Sequence, residues 1–149
     1  MSLEEQVMTE MKAAMRAKDT IKLEALRAIK SGILMAKTES SDKTGLAEEA
    51  ELKLLQKLVK QRKDSASIYK EQGREDLAQP ELDQAAVIEQ FLPEQLSEEE
   101  IEKKIIEIIG QTGAAGMKDM GKVMGLASAA LSGKADGKTI SMIVKKKLG

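Results

Sequence analysis

Apolar residues recur along this chain at steps of three and four rather than in alternation, which predicts helices almost throughout. A first helix is expected over about residues 3–18, with Val7, Met11 and Met15 on one face and a Ser2–Glu5 capping box at its start. The second, capped by Asp19 or Thr20, aligns Leu26, Ile29, Ile33 and Ala36 and ends in the polar segment 38–45. The third, about 48–72, carries Leu52, Leu55, Val59, Ala66 and Tyr69 on one stripe, with Gly73 placed as its C-terminal cap. A fourth reaches residue 92, and Pro80 must sit in its first turns or kink it, because proline lacks the amide donor and clashes with the preceding turn.

Pro93 biases Leu92 away from helix, and Ser97 with Glu100 forms a new capping box directly afterwards, so a domain boundary is expected there. Beyond it three helices fit: 97–109 with Ile101, Ile105 and Ile108, then 117–131 with Met117, Met120, Val123, Met124, Ala127 and Leu131, then 136–148 with Ile140, Ile143 and Val144. The expected fold is therefore all-α: an N-terminal bundle of about four helices over 1–93 and a small C-terminal three-helix domain over 94–149. A unit as small as the second holds a modest core.

Composition removes whole classes of chemistry. With no His and no Cys, the chain cannot build a thiol nucleophile, a His general base, a structural zinc site or a disulfide, and no metal or cofactor is expected. Tyr69 and Phe91 are the only aromatic residues, so the cores must be aliphatic and base stacking offers little for binding single strands. No apolar run approaches the roughly 20 residues that span a bilayer, and MSLEEQVMTEM lacks the basic and apolar regions of a signal peptide. The expectation is a cytoplasmic protein without a membrane partner.

Charge sharpens the picture at the C-terminal end. From Gly110 onward seven lysines stand against two acids, a local charge of +5, although the whole chain carries −1. Lys134 and Lys138 flank a turn at which Gly137 lets the backbone approach a partner. Asp136 opens a helix whose free amides are expected to be able to meet a phosphate, and Lys118 and Lys122 lie one turn apart on the preceding helix. With Lys145, Lys146 and Lys147 these are the candidate RNA-binding residues. The plainer explanation is a solvated face, in which the last three lysines complement the negative end of a helix. The P-loop-like spacing of Gly116 to Lys122 fits a helix better: Val123 stands where a magnesium-ligating Ser or Thr belongs, and the methionines continue an apolar stripe.

In the N-terminal half, Arg62 falls on the apolar stripe of the third helix, so its guanidinium needs a partner. Glu81, Asp83 or another carboxylate of the fourth helix is expected in that role. Arg62, Tyr69, Arg74 and Glu81 are thus the candidates for a structural ion pair or a partner contact. Glu98, Glu99 and Glu100 read as acids favouring a helix N-terminus rather than as catalytic carboxylates.

Several segments carry a family resemblance. Met11-Lys12-Ala13-Ala14-Met15, Lys60-Gln61-Arg62-Lys63-Asp64-Ser65, Gly73-Arg74-Glu75-Asp76-Leu77-Ala78 and Phe91-Leu92-Pro93 come first; Met120-Gly121-Lys122-Val123-Met124 and Gly133-Lys134-Ala135-Asp136-Gly137 follow. In order and spacing the whole chain resembles the YqeY family, whose C-terminal part is similar to the tail domain of the B subunit of the glutamine-dependent aspartyl/glutamyl-tRNA amidotransferase. The resemblance implies an all-helical protein and kinship to carbon–nitrogen ligases that use glutamine as amido donor, without the catalytic core. It implies a standalone tRNA-binding accessory, with tRNA and an amidotransferase or aminoacyl-tRNA synthetase as candidate partners. The alternative is a helical module that docks on a translation-related protein. Pro80 is a departure from the continuous helix expected there.

Overall fold

The computed structural model describes residues 2–39 and 47–149, and among these the secondary structure is helical, with no strand. Two compact units divide the chain, Met1–Leu92 and Pro93–Gly149. The first contains α1 (Leu3–Ala17), α2 (Thr20–Glu39), α3 (Glu48–Glu71) and α4 (Glu75–Glu89). The second contains α5 (Glu98–Thr112), a 3₁₀ turn (Met117–Asp119), α6 (Met120–Ala130) and α7 (Gly137–Leu148).

Local chemistry sets the helix ends. The Ser2 hydroxyl accepts the Glu5 amide while the Glu5 carboxylate accepts the Ser2 amide, each at 3.2 Å, so two otherwise unbonded donors at the start of α1 are satisfied. α1 closes at Lys18, which takes the left-handed conformation at φ 54°, and the Asp19 carboxylate accepts the Lys22 amide to open α2. Asp19, rather than Thr20, is therefore the residue whose side chain caps. α2 continues to Glu39; the rest of the 38–45 stop segment lies outside the described residues. Gly73 follows α3 at φ 73°, as a C-terminal cap requires. Pro80 is the sixth residue of α4, which runs unbroken from Glu75 to Glu89.

α4 packs on both α3 and α2, and α2 also meets α1 and α3. Val7, Leu26, Ile29, Leu55 and Ile88 are each at most 1% exposed, and burying a side chain of this size stabilises the fold by about 1.5–3 kcal/mol. Met15 departs from expectation: it is 52% exposed, and Ala14 lies in the core instead. Steps of four overshoot a 3.6-residue turn, so the series Val7, Met11, Met15 rotates off the buried face, whereas Ala14, seven residues past Val7, stays on it. Glu4–Lys37 at 2.6 Å and Glu10–Lys22 at 2.8 Å bridge α1 and α2, and Lys63–Glu89 at 2.6 Å bridges α3 and α4.

In the second unit, Ile101, Ile105 and Ile108 of α5 meet Val123, Ala127 and Leu131 from the α6 region and Ile140, Val144 and Leu148 of α7. The Ser97 hydroxyl accepts the Glu100 amide at 3.2 Å. The Glu100 carboxylate accepts the Ser97 hydroxyl rather than completing the expected box on the Ser97 amide. The helix expected from 117 begins as the 3₁₀ turn and becomes α-helical at Met120. That tighter turn carries Met117 off the core stripe, leaving it 48% exposed.

Candidate functional site

The basic surface of the second unit is built on a pinned connection. After α6 the chain turns back, with the Lys134 amide donating to the Leu131 carbonyl at 2.9 Å and Gly133 adopting φ 76°, a left-handed conformation that glycine tolerates without strain. Two bonds from the segment before α5 hold this turn: the Gln95 side-chain amide donates to the Gly133 carbonyl at 2.7 Å, and the Leu96 amide donates to the Lys134 carbonyl at 2.9 Å. The same Gln95 nitrogen reaches the Pro93 carbonyl at 2.8 Å. Gly133 is consequently buried while the Lys134 side chain stays exposed on a fixed backbone.

Both acids of this basic segment serve the backbone. Asp119 accepts the Ala115 amide at 3.0 Å, ahead of the 3₁₀ turn. Asp136 is the N-cap of α7, accepting the Thr139 amide at 2.8 Å and the Thr139 hydroxyl at 3.0 Å. The start of α7 was expected to offer its amides to a phosphate, but the Asp136 carboxylate already occupies that end and would repel an anion there. Gly137 is the first residue of α7, with open space where a Cβ would stand.

The lysines separate into two kinds. Lys147 forms an ion pair with Glu102 of α5 at 2.5 Å, and that bond, reinforced by the charges of Lys147 and then Lys146, holds the Glu102 carboxyl below its ordinary value. Lys118, Lys122, Lys134, Lys138, Lys145 and Lys146 are exposed, and among the described residues none of them has an ion pair. α6 and α7 pack together, and α7 also meets the 3₁₀ turn, so the elements that carry these lysines are neighbours.

The candidates of the first unit have structural employment. Where Glu81 or Asp83 was expected opposite Arg62, Gln84 stands instead. The Arg62 Nε donates to Gln84 Oε1 and its Nη1 to the Leu58 carbonyl, each at 3.2 Å. Gln84 then donates to Glu24 at 3.1 Å, so the half-buried guanidinium ties α3 to α4, and the glutamine ties α4 to α2. Arg74 is exposed and grips Asp76 through two bonds at 3.0 and 3.1 Å, which hold the Asp76 carboxyl below its usual range. Tyr69 is half-buried, and its carbonyl accepts the Arg74 amide at 2.8 Å. Glu81 is also half-buried on α4. Gln84 and Gln95 were missed in the sequence, where an isolated glutamine carries no signal. Met142 was missed too, although it sits opposite the Ile140–Val144 face. No helix among the described residues is long and apolar enough to cross a membrane.

A model of the family described as Yqey-like protein matches residues 4–148. The chain is 40% identical over 84 residues to the E subunit of the glutamyl-tRNA(Gln) amidotransferase of Thermococcus gammatolerans, an alignment covering 54% of this chain and 13% of that protein. It is 32% identical over 103 residues to altered inheritance of mitochondria protein 41, mitochondrial, of Kluyveromyces lactis, covering 67% of this chain and 55% of the other. To the protein of the same description in Clavispora lusitaniae it is 35% identical over 109 residues, covering 70% and 61%. The chain thus spans less than two thirds of the length of each of these relatives.

Proposed function

The chain belongs to the Yqey-like family, and on that footing we propose that it is a tRNA-binding accessory protein, kin to one component of a tRNA-dependent amidotransferase but without a catalytic role of its own. The observation that carries this reading is the set of exposed lysines on the second unit that have no ion pair among the described residues. Of these, Lys134 stands on a turn held by Gln95 and Leu96, Lys138, Lys145 and Lys146 on α7, which Asp136 caps, and Lys118 and Lys122 on the 3₁₀ turn and α6. Phosphates are gripped by such a surface without base reading, because Lys presents a point charge and each contact releases condensed counterions. The expected place of action is the cytoplasm, alongside the amidotransferase or a synthetase.

Filter binding of bulk tRNA across a salt series tests it, with wild type compared to a variant carrying Gln at Lys118, Lys122, Lys134, Lys138, Lys145 and Lys146. The wild type should bind with a steep negative salt slope, and the variant, folded by circular dichroism, should lose most of that slope. Equal inertness of both at low salt removes the proposal.

A second reading, docking on a translation-related protein, is favoured by apolar side chains left outside the first unit's core. Met15, Leu34, Met35 and Ile68 are each at least half exposed. Recovery of a partner that survives nuclease treatment and is lost in a Met15→Glu, Leu34→Glu variant would support it.

A further inference from the structure

We infer that the nucleic-acid surface is the outer face of α7, made by Lys138, Met142, Lys145 and Lys146, and that its ligand is the phosphate backbone of double-helical RNA; this rests on the proposed tRNA-binding function. α7 reads GKTISMIVKKKL and contains no acid. Ile140, Val144 and Leu148 are buried on its inner face, whereas Met142 is 61% exposed. At a turn of 3.6 residues, Lys138, Lys145 and Lys146 all project within about 60° of Met142, on the side opposite Ile140. They span about 12 Å along the helix axis, several phosphate steps of a nucleic-acid strand.

The neighbouring charges make this face more electropositive than the helix start. Asp136 caps the N-terminus of α7, so anions are disfavoured there, and Lys147, rotated away from the outer face, is neutralised by Glu102. Lys118 stands beside Asp119 and Lys138 two residues from the Asp136 cap, whereas Lys145 and Lys146 lie in the acid-free last turn of α7. A second feature selects the class of RNA. Both aromatic residues, Tyr69 and Phe91, lie in the first unit, so this one has no stacking platform for splayed bases. A row of cations on a rigid helix suits the regular backbone of a duplex, which is recognised by shape and phosphate rather than by sequence. Met142, apolar and unhindered, fills the middle of the row without adding charge.

The test uses the full chain with a labelled 16-base-pair RNA duplex and a single-stranded RNA of equal length without self-complementarity. Wild type should bind the duplex about tenfold more tightly or better, and substituting Lys138→Gln, Lys145→Gln and Lys146→Gln together should reduce the salt slope by about 2 to 3. Met142→Glu, at a position too exposed to disturb the core, should weaken binding as well. The pair Lys118→Gln, Lys122→Gln should cost less than the α7 triple, and Lys147→Gln should leave binding unchanged. A wild type that binds while the α7 triple and Met142→Glu bind equally well overturns the assignment of this face. Preference for the single strand overturns the ligand class. Absence of any RNA binding by wild type overturns the proposed function and this inference with it.

Discussion

The two units use the same aliphatic helix packing but put their charges to different use. In the first, the pairs that cross helix seams are Lys37 with Glu4, Lys22 with Glu10 and Lys63 with Glu89, with Arg62 joined to Gln84 and on to Glu24, while cations such as Lys12, Arg16, Lys30 and Lys60 have no ion pair among the described residues. In the second, the six exposed lysines after Gly110 have no ion pair among the described residues, and Lys147 alone of the seven is matched. Surface pairs are worth at most about 1 kcal/mol each, so the first unit gains register more than stability from them. Gathered on the segment after Gly110, where seven lysines stand against two acids, these charges repel one another and add no packing, which is the pattern expected where a polyanion supplies counter-charge.

Core truncation is the strongest way to probe this comparison. Ile105→Ala in the second unit and Ile29→Ala in the first should each cost about 2–5 kcal/mol, since both side chains are fully buried. Hydrogen exchange followed residue by residue should show the loss confined to the unit that carries the substitution. A loss spread evenly over both units would mean that they fold as one.

Smaller effects come from the helix ends. Asp136→Ala removes the cap of α7 and should destabilise the second unit by about 1 kcal/mol in chemical denaturation, while strengthening RNA binding by removing an acid from the basic end. Lys18→Gly should stabilise the first unit by up to about 1 kcal/mol, because a residue with a Cβ now holds a left-handed conformation at the end of α1.

The smallest test is pH, where Glu51 of the first unit and Glu102 of the second should move in opposite directions. The Glu102 carboxyl is held below its ordinary value by Lys147, so this site's stabilisation is present above the ordinary glutamate value of about 4.3 and is lost as pH falls through the lowered one. Glu51 behaves in reverse: burial, and then the neighbouring Glu48, raise its carboxyl, with Lys37 opposing. Its ionised form disfavours folding at neutral pH, and that cost is relieved as pH falls through the raised value. Between neutrality and about pH 4 the first unit should therefore gain at Glu51, and the second should begin to lose at Glu102 only at lower pH. Lys147→Gln should flatten the second response and Glu51→Gln the first, both read from urea midpoints.

Helix type, the Ser2 cap and the buried isoleucines of α5 were determined by the sequence alone, because each depends on residues within one or two turns of one another, whereas the cap of α2 was narrowed only to Asp19 or Thr20. The excess of lysines near the C-terminus was equally legible, since composition needs no fold. Tertiary structure decided which of those charges are available. Lys147 meets Glu102, Gln95 reaches Gly133 and Arg62 turns to Gln84 across 22 or more residues, and periodicity carries no information about a partner so far away. It also decided the choice between Ala14 and Met15. Their positions along the helix differ by one residue, but the packing of α1 against α2 sets which angle is buried, and a 3.6-residue turn lets a series stepping by four drift out of it.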